Sequence, residues 1–212
     1  MKKYSQNQED LHILEYFKDK KGTVLDIGAN DGKTFSNSLA LIELGWQAIL
    51  VEPSPVCVEK MIELHEKNQA AVAVCRAAIG KATGKAIFHE SGYLNDPGLE
   101  GDNVSLVSTL IPEEKKRWEP LHMQWKEYEV DVLSWADFRK LFPGKFDFIS
   151  IDAEGVDLDI LKQIDLNETG TSLVCLEFNL NQEVKKEMME YCAQFGLDKL
   201  LYTTGENIIL GR

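Results

Sequence analysis

Four acidic residues, Asp26, Glu52, Asp152 and Glu177, each close a short apolar run: TVLD, AILVE, FISID and LVCLE. A carboxylate at the end of a buried run is costly unless a partner or ligand compensates it. In an open α/β sheet, ligands bind outside the carboxyl ends of the strands, where the strand order reverses. Four acids at such exits therefore point to one acid-lined cleft. The first run continues into G-A-N-D-G, where Gly28 and Gly32 permit backbone conformations closed to other residues and let a ligand approach the main chain. The spacing is neither G-x-G-x-x-G nor a loop ending in G-K-[ST], so the dinucleotide and P-loop fingerprints are not met. Glu52 ends the second run, where a carboxylate can accept two hydrogen bonds from a ribose diol. A solvated acid in a turn is the plainer reading of Glu52 alone.

The elements that must position these residues follow from the patterning. Strands are expected over 23–28, 47–52, 146–152 and 172–178, with a third strand and a turn in 71–80. Phe35, Leu39 and Ile42 fall on one helical face. Ser54-Pro55 reads as an N-cap followed by proline at the first helical position, opening a helix with Val58, Met61, Ile62 and His65 on one side. Ser134 to Asp137 resembles a capping box. A helix is expected from about Leu158 to Ile164 and another after Asn181, closed by Gly196. Two short strands, around Lys199–Thr203 and Asn207–Leu210, end the pattern. Strands without polar alternation, each followed by a helix, predict an α/β fold with a mostly parallel sheet, helices on both faces and an antiparallel last strand. Residues 90–130 break the rhythm with glycine, proline, charge and aromatics, and are expected to form a lid or acceptor-binding insert.

The 212 residues suit one well-cored domain spanning 1–212. A net charge of −12 makes nucleic acid a poor partner. No run approaches the ~20 apolar residues of a membrane helix, and MKKYSQNQED is not a signal peptide, so a cytoplasmic protein is expected. Cys57, Cys75, Cys175 and Cys192 are widely spaced and read as buried free thiols.

Three blocks, SQNQEDLHIL, VLDIGANDGKTFSNSLALIELGWQAILVEPSP and FISIDAEGVDLDIL, resemble the signatures of FkbM-type methyltransferases. The resemblance implies a Rossmann-like, seven-stranded class I methyltransferase fold and S-adenosylmethionine as cofactor. It places Asp26, Gly28, Asn30 and Gly32 around the methionine part and Glu52 on the ribose hydroxyls. Pro53 and Ser54 would shape the adenosine edge, and Ala78 would lie near the adenine. Asp152, Glu154 and Gly155 match a D-x-E-G block facing the reacting methyl, which makes Asp152 and Glu154 the catalytic candidates. Ser5-Gln6 matches an N-terminal block that folds over the cofactor. Ser5-x-x-Gln8 reads equally well as a capping box. In the class I strand order the exits carrying Asp152 and Glu177 adjoin. With Asn179 they form an oxygen-only set suited to magnesium or a similar divalent cation.

On the acceptor side, His89, Tyr93 and His122 lie near or in the insert, as do Ser105, Ser108 and Thr109. Trp118 and Trp125 accompany the basic run Lys115, Lys116 and Arg117. His12 and His65 fall on helices and read as packing or surface residues. The expected function is methyl transfer to a hydroxyl of a sugar or sugar-containing small molecule. A non-catalytic cofactor-binding module and an NAD-dependent oxidoreductase are the alternatives. Acceptor identity and oligomeric state carry no sequence signal.

Overall fold

The computed structural model describes residues 3–92, 106–121 and 124–212. The chain opens with α1 (Glu9–Phe17), β1 (Thr23–Ile27), α2 (Leu39–Glu43), β2 (Gln47–Val51), α3 (Pro55–Lys67) and β3 (Val72–Cys75). Then come β4 (Ala78–Gly80), β5 (Gly84–Ser91), a 3-10 helix (Pro112–Leu121), β6 (Trp125–Ser134) and α4 (Trp135–Leu141). The last elements are β7 (Phe148–Ile151), α5 (Asp157–Leu161), β8 (Leu173–Glu177), α6 (Gln182–Ala193), β9 (Lys199–Thr203) and β10 (Asn207–Gly211).

The main sheet has seven strands in the order β3-β2-β1-β7-β8-β10-β9. β1 pairs in parallel with β2 on one side and β7 on the other, and β10 is antiparallel to both β8 and β9. Strand order thus reverses between β1 and β7, so their carboxyl ends diverge into a crevice. The α/β, mostly parallel sheet expected from the apolar runs is the one that forms.

Side-chain alternation explains how the sheet is covered. Leu25, Ile27, Ile149, Ile151 and Leu176 point to one face, against Phe138, Ile160, Leu161 and Met188. Val24, Phe148 and Cys175 point to the other, against Ile13, Phe17, Leu41 and Trp46. Fully buried side chains such as Phe148 and Phe138 each contribute about 1.5–3 kcal/mol over the exposed state. Asp26 and Ser150 share the second face at its crevice end and face each other across the β1–β7 register.

Helix caps follow the sequence closely. Ser54 accepts from the Cys57 N–H, Ser134 from the Asp137 N–H, and Asn181 from the Glu183 and Val184 N–H groups. Three expectations fail for local reasons. Phe35 is not helical: Asp31 accepts from the Lys33 and Thr34 N–H groups and holds a turn, and α2 starts only at Leu39. Ser5 is not the N-cap of α1: Gln8 holds that position without a side-chain cap bond, and the Ser5 hydroxyl reaches on to Asp10, donating to its carboxylate at 2.7 Å and accepting from its N–H at 3.1 Å. The stretch 71–80 is two strands rather than one, and β4 joins a separate sheet of order β4-β6-β5. Within 90–130 the described residues are not wholly irregular, since β5 pairs with β6 and the 3-10 helix lies between them. Tyr93, Ser105 and His122 lie outside the described residues.

Candidate active site

The crevice at the β1–β7 switch is a cavity lined from every neighbouring element. Gln6, Asp26, Gly28, Asn30, Glu52, Pro53, Ala78, Asp152, Glu154, Glu177 and Asn179 all reach it. Gly32 and Ser54, expected there, do not. Gly32 (φ +72°) turns the loop onto α3, where a Cβ would meet Met61 Cγ at 2.9 Å and His65 Nε2 at 3.2 Å. Ser54 is fully buried, capping α3 and donating to Glu90.

The glycine loop is built by close backbone approach. At Gly28 (φ +83°) a Cβ would lie 1.7 Å from the Asp152 carbonyl oxygen, so the β1 and β7 exits meet with no room for a side chain. The Gly28 and Ala29 N–H groups donate to Val51 O at 2.9 and 3.1 Å, which ties the same loop to the end of β2.

Glu52 is held from two sides. Its Oε2 accepts from the Asn30 N–H at 3.0 Å and its Oε1 from the Ser54 N–H at 2.8 Å. Each oxygen retains a lone pair, so the carboxylate is fixed in orientation and can still accept from a diol. Beside it, Ala77, Ala78, Ile79 and Phe88 supply an apolar wall. Burial pushes the Glu52 carboxyl up from 4.5 to about 7, opposed by the two N–H bonds and reinforced by Glu90 and Asp26.

Asp26 anchors a polar cluster that sequence reading missed. Ser38 Oγ donates to its Oδ2 at 2.5 Å, and Asn37 Nδ2 donates to Ser150 Oγ at 3.3 Å. Burial raises the Asp26 carboxyl to about 6, with the Ser38 and Ser150 hydroxyls working against it. Period-2 alternation placed Asp26 and Ser150 on one face, but Asn37 and Ser38 reach it only through the three-dimensional turn.

At the other end of the cavity, single carboxylate oxygens of Asp152, Glu154 and Glu177 lie within 4.8 Å of one another. Desolvation first, and repulsion from Asp157 second, raises Asp152 to about 7; desolvation and then repulsion from Asp152 raise Glu154 and Glu177 well above the ordinary carboxylate range. A side-chain hydrogen bond joins Asp152 to Glu177, so the two carboxyls share a proton. Asp152 and Glu177 of the expected trio belong to this cluster together with Glu154. Asn179 lies beside them on the cavity wall, its Oδ1 accepting from Arg117 Nη1 at 2.5 Å and its Nδ2 donating to Glu177 at 2.8 Å.

Asp157 explains the turn after β7. Its carboxylate accepts from the Ala153 N–H at 2.7 Å and the Gly155 N–H at 3.0 Å, so it clamps the D-x-E-G turn from behind. Two straps close the cavity. Thr109 exchanges backbone hydrogen bonds with His89 at 2.9 and 3.0 Å and donates its hydroxyl to Glu154 O at 2.8 Å, drawing 106–110 across the opening. At the N-terminal side Asp10, fully buried, accepts from the Tyr4 N–H and the Ser5 hydroxyl, and Ser5 bridges to Phe35. That bridge sets Gln6 over the cavity. His89 itself does not line it, and its Nδ1 lies 3.2 Å from both Lys115 Nζ and Glu127 Oε1. Trp118 and Arg117 do line it; Trp125, in β6, does not.

The family model for the methyltransferase FkbM domain matches residues 26–197. The chain belongs to the FkbM methyltransferase family. S-adenosylmethionine is the cofactor of that family. An FkbM methyltransferase structure from Methylobacillus flagellatus KT superposes with TM-score 0.58 at 13% identity, over 92% of this chain and 44% of that one. This FkbM-family chain therefore spans less than half the length of that relative. A precorrin-6y C5,15-methyltransferase from Geobacter metallireducens GS-15 superposes at TM-score 0.50 and 14% identity, over 100% of this chain and 92% of that one. A ribosomal protein L11 methylase from Lactobacillus delbrueckii subsp. bulgaricus does so at 0.50 and 16%, over 96% and 75%. At such identities these likenesses establish the fold. A comparison with curated proteins found no match. Among the described residues, no helix is long and apolar enough to cross a membrane.

The residues present fit the family's cofactor. A glycine loop without room for a side chain, a fixed carboxylate with free lone pairs and an apolar wall beside it suit an adenosyl group. The acids beyond suit its cationic sulfonium and ammonium groups.

Proposed function

We propose that this chain is an S-adenosylmethionine-dependent methyltransferase that methylates a hydroxyl of a sugar or sugar-containing small molecule. The observation that carries this reading is the polarised cavity, with the oriented Glu52 and its apolar wall at one end and the three-carboxylate cluster at the other. When bound, the cofactor supplies a methyl carbon made electrophilic by its sulfonium.

The chain's own residues do the rest. Glu52 accepts from the ribose hydroxyls, and Gln6 and the 106–110 strap exclude water. Positioning of the acceptor oxygen behind the methyl supplies much of the acceleration. The hydrogen bond from Glu177 orients the Asp152–Glu177 pair, with Asp152 as the acceptor of the hydroxyl proton. A base with pKa near 7 suits that role at neutral pH. The same three carboxylates offer the oxygen ligands of magnesium or a similar hard cation. In that arrangement they would be ionised and the acceptor oxygen would lose its proton at the cation. Activity in excess chelator separates the two: full activity leaves Asp152 as base, and loss restored by magnesium selects the cation.

The test of the function itself is calorimetric. S-adenosylhomocysteine should bind, stabilising the protein by about 2.7 kcal/mol at 100 times its dissociation constant. Glu52→Ala should weaken that binding, whereas Asp152→Asn should retain it and lose turnover. Binding of NAD in preference to S-adenosylhomocysteine would sink the reading. Retained cofactor binding without turnover on any hydroxyl acceptor would favour the non-catalytic module instead.

A further inference from the structure

Phe35 is an anomaly. Its backbone sits at φ +55°, a region that bulky side chains rarely occupy, and its ring is 47% exposed. A strained backbone that holds an aromatic ring in solvent persists only where surrounding structure enforces it, and such outliers cluster at ligand clamps. Here the enforcement is visible: Ser5 pairs with Phe35 on one side, and Asp31 fixes the turn before it on the other. The ring forms part of the cavity wall.

Trp118 lines the same cavity from the 3-10 helix, with the Arg117 guanidinium 5.1 Å over its ring. Neither aromatic belongs to the glycine loop's contacts with β2 and β7 or to the Glu52 anchor, so neither is needed to hold an adenosyl group. Both are available to a second ligand.

The charge around them is one-sided. Six carboxylates line the cavity, from Asp26, Glu52, Asp152, Glu154, Glu177 and Glu206. Arg117 is the one cationic side chain doing so among the described residues, and it is already engaged with Asn179 and the field of Glu154. A phosphate or carboxylate on a second ligand would find no free cation among the described lining residues and would lie among acids whose ionisation it opposes, which is unfavourable.

Resting on the methyltransferase reading above, we propose that Phe35 and Trp118 are the acceptor-reading residues. They select a ring with a flat apolar face that carries no anionic group and reject phosphorylated or carboxylated analogues.

The test uses the full chain saturated with S-adenosylhomocysteine and two probes that share an aromatic ring, 4-nitrophenyl β-glucoside and 4-nitrophenyl phosphate. Calorimetry should show the glycoside binding in the millimolar range and the phosphate at least about tenfold more weakly. Trp118→Ala and Phe35→Asn should each weaken the glycoside about tenfold and leave S-adenosylhomocysteine affinity within about threefold. Asparagine tolerates the left-handed region, so Phe35→Asn should melt no lower than the parent. A purely structural Phe35 would instead lower the melting temperature and leave the glycoside alone. Equal binding of the two probes, no glycoside binding up to about 10 mM, or unaffected binding in both variants overturns the proposal. Failure of S-adenosylhomocysteine to bind would instead overturn the methyltransferase reading, and this one with it.

Discussion

Gly28 and Asp152 meet backbone to backbone: a methyl group on the former would lie 1.7 Å from the carbonyl oxygen of the latter. The loop that opens the cavity and the strand exit that carries Asp152 are therefore one packed unit.

Gly28→Ala should accordingly be severe. It imposes a Cβ on a +83° backbone and forces β1 and β7 apart at the crevice, costing about 3 kcal/mol or more. Chemical denaturation would read the loss, and S-adenosylhomocysteine titration should show binding lost with it. A variant as stable as the parent would contradict the described contact.

The acidic lining sets a pH dependence whose sign runs against ordinary acid denaturation. Asp26, Glu52 and Asp152 ionise near 6, 7 and 7 in the fold, against 3.8, 4.5 and 3.8 for unperturbed groups. Between about pH 4 and 7 the folded state thus binds more protons than the unfolded one, and stability contributed by these groups falls as pH rises. Glu52→Gln removes one of them. The stability difference between variant and parent should grow in the variant's favour from pH 5 to about pH 8. A difference flat with pH would show that Glu52 is not proton-loaded in the empty cavity.

Asp157 touches neither end of the cavity's ligand space, yet its two N–H acceptances shape the turn that presents Asp152 and Glu154. Asp157→Asn can satisfy one of those N–H groups at most, losing a charge-assisted hydrogen bond to a part-buried donor at about 1 kcal/mol. Turnover should fall while S-adenosylhomocysteine affinity is largely kept. Unchanged kcat would remove Asp157 from any positioning role.

His65 is buried, and among the described residues neither ring nitrogen has a hydrogen-bond partner. Burial lowers its pKa below 6.5, so it contributes stability above that pH that is lost as pH falls through the depressed value. His65→Leu should remove the unpaired polar atoms and raise the melting temperature, by more at pH 5 than at pH 8. A lower melting temperature at both would mean that the ring has a polar role.

Much of this was legible in the sequence because it is local or periodic. The runs around Leu25, Ile49, Ile149 and Val174 could only be two-sided buried strands, and Ser54, Ser134 and Asn181 cap helices as their types require. The cleft acids announced themselves as polar residues at apolar ends. What stayed hidden was assembled across distance or decided by competition. Phe35 has helical spacing, but the Asp31 turn wins over its residues. Ser5 has a capping-box spacing to Gln8, but its hydroxyl pairs reciprocally with Asp10 instead. Asn179 has the donor type of a metal ligand, and only the fold shows that it also links Arg117 to Glu177. Ser38 carries no marker that a single sequence could show, whereas Trp118 and Arg117 stand out as an aromatic beside a basic run and only the fold places them, and not Trp125, on the cavity.

The N-terminal arm that seats Gln6 is pinned by the opposite end of the fold. Asn207 Nδ2 donates to Glu9 across 198 positions, and Tyr202 donates to the Asn7 carbonyl across 195. Until β9 and β10 have been synthesised and docked, that arm has, among the described residues, only its contacts with Asp10, Phe35 and Glu43. On the ribosome the pocket would thus be completed last, and ligand capture by a nascent chain would mark the final step of its folding rather than an early one.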